Sequence, residues 1–223
     1  MKNIFPSLFL SIALAAPAFA ADPALDQAIL DAQHQWEHIN YELPASQKVA
    51  AFDALEKQEG GLVQQYPGRA EPLIWHGIIL SSLAGAKGGL GALGLAKEAR
   101  DQLLASLKID PAAMQGSADT SLGTLYYKVP GWPIGFGDDD KAEAYLKKAE
   151  QINPSGIDAN YFYADFLYGK HRYSEAMQAL ERAQAAPPRL NRPLADKGRH
   201  QEIAKLAAEI RANAGDALKS AER

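Results

Sequence analysis

His34 and His38 are four residues apart, with Trp36 and Glu37 between them. On a helix that spacing puts both imidazoles on one face, where they could hold zinc or copper. The pattern is not H-E-x-x-H, because Glu37 directly precedes the second histidine, and no third ligand can be picked out. His171 and His200 are scattered and read as packed or solvated side chains. Asp138, Asp139 and Asp140 follow Gly137, but a calcium loop needs alternating oxygen ligands over about twelve positions and a closing Glu that is missing. The plainer reading is a helix N-cap with favourable charge at the positive end of the helix dipole. Gly89, Gly91 and Gly94 spell G-x-G-x-x-G, yet a dinucleotide site needs a preceding strand, and here a helix precedes. There is no G-x-S-x-G and no Ser, His and Asp in the order of a known triad. The residues therefore predict no enzyme, no catalytic set, no metal and no cofactor.

Composition narrows the field in the same direction. The 223 residues include no cysteine, which excludes disulfides, thiolate catalysis, Cys-ligated zinc and a lipid-anchored Cys. Lys and Arg number 23 against 27 Asp and Glu, so no basic surplus points to nucleic acid. With 47% hydrophobic and 22% charged residues, the chain reads as an ordinary globular protein.

Residues 1–20, MKNIFPSLFLSIALAAPAFA, have the form of an export leader. Lys2 supplies the charged start, Ile4 to Ala16 the apolar stretch, and Ala18-Phe19-Ala20 a small-x-small cleavage site. Cleavage is expected after Ala20, leaving a helical domain over 21–223. Pro6 and Pro17 interrupt an apolar stretch already short of the roughly 20 residues that cross a bilayer, so no membrane span is expected. A bacterial periplasm fits best.

Beyond the leader, helix-period segments alternate with prolines. In residues 157–190, Tyr163, Ala164 and Leu167 mark a first helix, Tyr173, Ala176, Leu180 and Ala183 a second, and Pro188 ends the unit. Upstream, Leu122, Gly123 and Tyr126 pair with Ala142, Leu146 and Ala149 before Pro154; Trp75 and Ile78 pair with Ala99, Leu103 and Ser106 before Pro111. The closing prolines Pro67, Pro111, Pro154 and Pro188 stand 44, 43 and 34 residues apart, so two units carry extra residues. Those extras are expected at the turns inside the hairpins, over 85–94 and 129–139.

These spacings resemble the tetratricopeptide repeat. The resemblance implies an all-α solenoid of antiparallel helix hairpins with two inserted loops. The units would be an irregular first hairpin over 22–67, repeats over about 71–111, 116–154 and 157–190, and a capping helix over 195–214. In such proteins the first helix of each hairpin lines a concave groove. By that register the groove would carry His76 and Leu80, then Thr120, Thr124 and Tyr127, then Tyr161, Asp165 and Tyr168. Rings of this kind suit an extended peptide or a small organic ligand.

The stretch Val129-Pro-Gly-Trp-Pro-Ile-Gly-Phe-Gly137 is the most unusual in the chain, because a plain spacer would be short and polar. Its Trp132, Ile134 and Phe136 can pack onto neighbouring helices, present themselves to a ligand or partner, or wall a pocket. This loop, with Gly88-Gly89-Leu90, Ala96-Lys97-Glu98-Ala99-Arg100, Leu125-Tyr126-Tyr127-Lys128, Gly135-Phe136-Gly137-Asp138-Asp139, Asn153-Pro154-Ser155-Gly156-Ile157-Asp158 and Ala195-Asp196-Lys197-Gly198-Arg199, is similar to the TatT family. The family comprises periplasmic tetratricopeptide proteins associated with TRAP-type transporters. The resemblance implies a non-catalytic scaffold working beside a solute-binding protein, its partner contacts at His76, Thr120, Tyr127, Trp132, Phe136, Tyr161, Asp165 and Tyr168. The alternative is a carrier of a small hydrophobic ligand, with the Trp132 and Phe136 loop closing a cavity.

Overall fold

The computed structural model describes residues 22–89 and 91–221; the expected leader over 1–20, and Leu90 of the glycine-rich turn, lie outside them. Among the described residues nine α-helices follow one another: α1 (Pro23–Tyr41), α2 (Ala45–Gln65), α3 (Ala70–Lys87), α4 (Ala92–Ile109), α5 (Ser117–Lys128), α6 (Asp139–Ile152), α7 (Ile157–Gly169), α8 (Tyr173–Gln184) and α9 (Pro193–Ala221). A short 3₁₀ turn, Ala113–Gly116, precedes α5. The fold is an all-α solenoid, and no helix among the described residues is long and apolar enough to cross a membrane.

Local chemistry starts the helices where the chain needs them. The Asp22 carboxylate accepts from the amides of Ala24 and Leu25 at 3.1 and 3.2 Å, with Pro23 opening α1. Asp138 accepts from the Lys141 amide at 3.1 Å, and Asp139 and Asp140 follow in the first turn of α6. The triple aspartate is thus a cap, held further by Lys141 on Asp138 and Lys170 on Asp139.

Small residues set the spacing inside each hairpin. A Cβ on Gly123 would sit 2.5 Å from Cγ of Leu146 and 3.0 Å from the Ala142 carbonyl. Gly77 meets Leu103 in the same way at 2.7 Å, and Ala164 is fully buried at the matching place in the α7–α8 pair. Each inner helix can therefore press its backbone against a leucine of its outer partner, which larger residues would prevent.

The extra residues of the first full repeat do not form the expected loop over 85–94. Helix α3 continues to Lys87 and α4 begins at Ala92, so the turn is short and both helices are 18 residues long. Apolar positions on α3 explain the extension, since it is buried on opposite faces. Ile74, Leu80 and Ala84 join the main core, while Trp75, Ile79 and Leu83 join a second core with Leu25, Phe52 and Leu55 of α1 and α2. The second inserted stretch is a loop. Gly137 donates its amide to the Pro130 carbonyl at 2.9 Å and Gly131 forms a bridge with Gly137, folding the segment back on itself around a cis Trp132–Pro133 bond. A Cβ on Gly137 would lie 2.0 Å from the Val129 carbonyl, so only glycine closes this turn.

The two ends of the solenoid meet. His34 on α1 hydrogen-bonds through Nε2 to the Asn191 carbonyl at 2.7 Å, and Arg192 is ion-paired with the buried Glu37. Helix α9 thereby touches both α7 and α1 and bounds one side of a partly open cavity on the inner face of the solenoid.

Candidate ligand cavity and its rim

The cavity has a volume of about 770 Å³, within the range of roughly 300–1,000 Å³ common for small-molecule sites. Inner helices α1, α3, α5 and α7 supply much of its wall, Ala92, Leu93 and Ala96 of α4 and Ala195 and Arg199 of α9 complete it, and both inter-helix connections contribute, through Gly89 on one side and Val129, Pro130 and Ile134 on the other. Helical periodicity produces the stripes. On α3 the wall positions include Trp75, Ile78, Ser82 and Gly85; on α5 they include Ser117, Thr120, Ser121, Thr124 and Lys128.

The hydroxyl-rich stripe is less polar than its residue types suggest. Ser81, Ser82, Thr120 and Thr124 each donate to the carbonyl four residues back along the chain, at 2.7–3.2 Å. Ser117 donates to the Met114 carbonyl. With those protons spent on the backbone, the hydroxyls turn methyl, methylene and lone-pair surface inward, and Ser82 also accepts from the Trp36 indole at 2.8 Å. Trp36 stands edge-on to Trp75 at 6.2 Å and to Tyr41 at 5.8 Å, an aromatic corner at the α1 side. The middle of the cavity is therefore apolar.

One end is ionic. Asp158 accepts from Arg189 at 2.7 Å and from Arg199 at 2.8 Å; Arg189 also holds Asp196, and Arg199 holds Glu202. Burial pushes the Asp158 carboxyl up, but Arg199, Arg189 and Arg192 outweigh it and keep the group well below the usual carboxylate range. Burial pushes the Tyr41 hydroxyl up to about 12. Arg199 stacks at 4.5 Å over both Tyr161 and Phe162, and Arg192 lies over Trp75. Each guanidinium has an acidic partner, so this end joins helices rather than offering a free charge.

The residues expected on the groove separate into three groups. Thr120 and Thr124 are on the cavity wall, whereas Leu80 is buried in the main core. Tyr127, Tyr161, Asp165 and Tyr168 are outside it, engaged in packing between α5, α7 and α9. Tyr127 meets Phe166 edge-on at 5.5 Å, Asp165 pairs with Lys128 at 2.6 Å, Tyr161 lies beneath Arg199, and Tyr168 accepts from Asn213 at 2.6 Å. His76 points away from the cavity, its Nε2 3.1 Å from Glu56 on α2. The reason is angular: Trp75 takes the inward position on α3, and the next residue is turned about 100° around the helix.

The inserted loop divides its aromatics. Phe136 packs edge-on to Tyr126 at 5.5 Å with the Arg100 guanidinium 4.6 Å from its ring centre. Trp132 is 91% exposed and Ile134 59% exposed, beside the cavity mouth that Ile134 helps to form. The His34 and His38 pair does not converge on a metal: His34 engages Asn191 and His38 engages Glu42. The register did not single out Trp36, Ser82, Phe162, Arg189, Arg192 or Arg199 as wall residues. Of these, Ser82 could have been found from its position seven residues beyond Trp75 on one helical stripe.

The tetratricopeptide repeat family matches residues 134–210. Among solved structures, a thermophilic TPR protein of Thermus thermophilus is similar at 17% identity and a TM-score of 0.55, over 82% of this chain and 90% of that one. MamA of AMB-1 is similar at 18% identity and a TM-score of 0.43, over 85% of this chain and 96% of that one. No curated protein matches the chain. The Thermus likeness and the repeat match agree with the helix hairpins in showing an all-α solenoid of tetratricopeptide type.

Proposed function

We propose that the protein is a non-catalytic, exported binding scaffold whose inner cavity holds a small, mainly apolar molecule. The observation that carries this reading is the cavity itself: about 770 Å³, lined from six helices and both connections, with the hydroxyl protons of Ser81, Ser82, Thr120 and Thr124 turned into the backbone. Such a lining favours a hydrocarbon or aromatic body over a sugar or nucleotide, whose donors and acceptors would each need a partner. A solute-binding protein of a TRAP-type transporter is the partner we assign, received at the rim where Trp132 and Ile134 stand exposed. The similarity of the Val129–Gly137 loop to the TatT family supports this assignment, and the leader-like residues 1–20 support a periplasmic setting.

The partner assignment is tested by capture from periplasmic extract with wild type beside Trp132→Ser. Trp132 is almost wholly exposed, so the variant should keep its helicity. A solute-binding protein retained by wild type and lost by the variant is the expected result; equal retention, or none, would remove the rim from the account.

A further inference from the structure

Away from the cavity, on the far side of α3, three potential metal ligands converge from three successive helices. Glu56 of α2, His76 of α3 and Glu98 of α4 each offer one donor atom, and all three atoms lie within 4.8 Å of one another. We propose that Glu56, His76 and Glu98 form a binding site for a divalent transition-metal cation, zinc being the ion that suits one imidazole and two carboxylates. The inference is independent of the ligand proposed for the cavity.

The imidazole is built into the site. The His76 side chain is 6% exposed, and Nδ1 is buried without a hydrogen-bond partner. Nε2 is therefore the ring atom that reaches a polar group, and it points at the carboxylates. Its 3.1 Å separation from Glu56 Oε1 is close to the roughly 3.3 Å between ligand atoms of a tetrahedral zinc with bonds near 2.0–2.1 Å. Glu98 is exposed on α4 and can swing through the remaining distance without disturbing the core.

Charge favours a cation at this point. Among the described residues, no Lys or Arg forms an ion pair with Glu56 or Glu98, whereas Glu143 of the repeat helices pairs with both Lys147 and Arg172 and Glu150 pairs with Arg182. The two carboxylates repel each other unless a positive charge comes between them. Three protein ligands leave a fourth position open to water, and the 23% exposure of the Glu56 side chain gives solvent access. A metal here would tie α2, α3 and α4 together, joining the first hairpin to the repeats.

The test is titration of the untagged protein with ZnCl₂ by calorimetry, with MgCl₂ alongside, for wild type, Glu98→Gln and His76→Gln. A His34→Gln/His38→Gln variant removes the one i, i+4 histidine pair that could compete for zinc. The expected result is one zinc per chain, unchanged in the double variant, weakened at least tenfold in Glu98→Gln and lost in His76→Gln, with no magnesium uptake. Saturating zinc should raise Tm by roughly 5–10 °C at a hundredfold excess over Kd. Glu98 is exposed, so its variant folds and keeps the test decisive if His76→Gln does not. Absence of stoichiometric zinc in wild type, or equal binding by wild type and Glu98→Gln, would overturn the site.

Discussion

At the scale of single residues, two carboxyls, Glu59 buried and Asp158 half-buried, bend the stability of this protein with pH in opposite directions. Glu59 is 1% exposed, its Oε2 has no partner, and burial pushes its carboxyl up from 4.5 to about 7. The folded chain therefore keeps a proton that the unfolded chain releases near pH 4.5, so stability falls as pH rises from 4.5 to about 7 and is level above that. Glu59→Gln should remove this slope and raise stability at pH 8 by on the order of 3 kcal/mol, the worth of the shift. Urea unfolding of both proteins at pH 5 and pH 8 checks it; a slope retained in Glu59→Gln would assign the effect to another group. Asp158 acts the other way. Its arginines hold the ionised form, so its contribution is complete above the ordinary value of 3.8 and is lost as pH falls below it. Asp158→Asn leaves Arg189 and Arg199 facing each other, and should cost on the order of 2 kcal/mol, moderated because the aspartate is 36% exposed. Guanidinium chloride unfolding at pH 7 would show it, and an unchanged midpoint would mean that water already compensates the pair.

At the scale of elements, the repeat marks were legible because they are local. Leu122, Gly123 and Leu146, or Ala164, Ala176 and Leu180, sit at fixed helical spacings, and each of them is buried where two helices cross. Gly123→Ala should destabilise by about 1–3 kcal/mol, since its Cβ would meet both Leu146 and a backbone carbonyl. Thermal unfolding would register a lower Tm, and a neutral result would show that α5 and α6 can separate freely. Two things were not legible. Whether extra residues lengthen helices or form a loop is decided by what they pack against, and α3 found a second core formed by α1 and α2. The groove register failed at His76 because one residue's rotation places Trp75 inward instead. The Val129–Gly137 loop showed its special character in composition, but which ring is exposed depends on Tyr126 and Arg100 receiving Phe136.

At the scale of the whole molecule, the decisive feature is closure, and no local pattern announces it. Arg192 and Glu37 are 155 residues apart in sequence, and their pairing joins the first helix to the last. Without that junction the inner face would be an open groove suited to a peptide; with it the solenoid narrows the groove to a partly open cavity of small-molecule size. Arg192→Ala should loosen α9 from α1, leaving Glu37 buried and unpaired. Hydrogen exchange should then rise in α1 and over the start of α9 while α5 and α6 stay protected; uniform protection would deny that the pair holds the ends together.

The most direct test of the central claim is native mass spectrometry of the protein purified from its native host, beside Ser121→Trp. Ser121 is half-buried on the cavity wall, and an indole there fills the space without touching the hairpin core. Extra mass of an apolar small molecule, released by organic solvent, is expected on the wild type, and a bare chain for Ser121→Trp. A bare wild type, or equal mass on both proteins, would contradict a ligand held inside the solenoid.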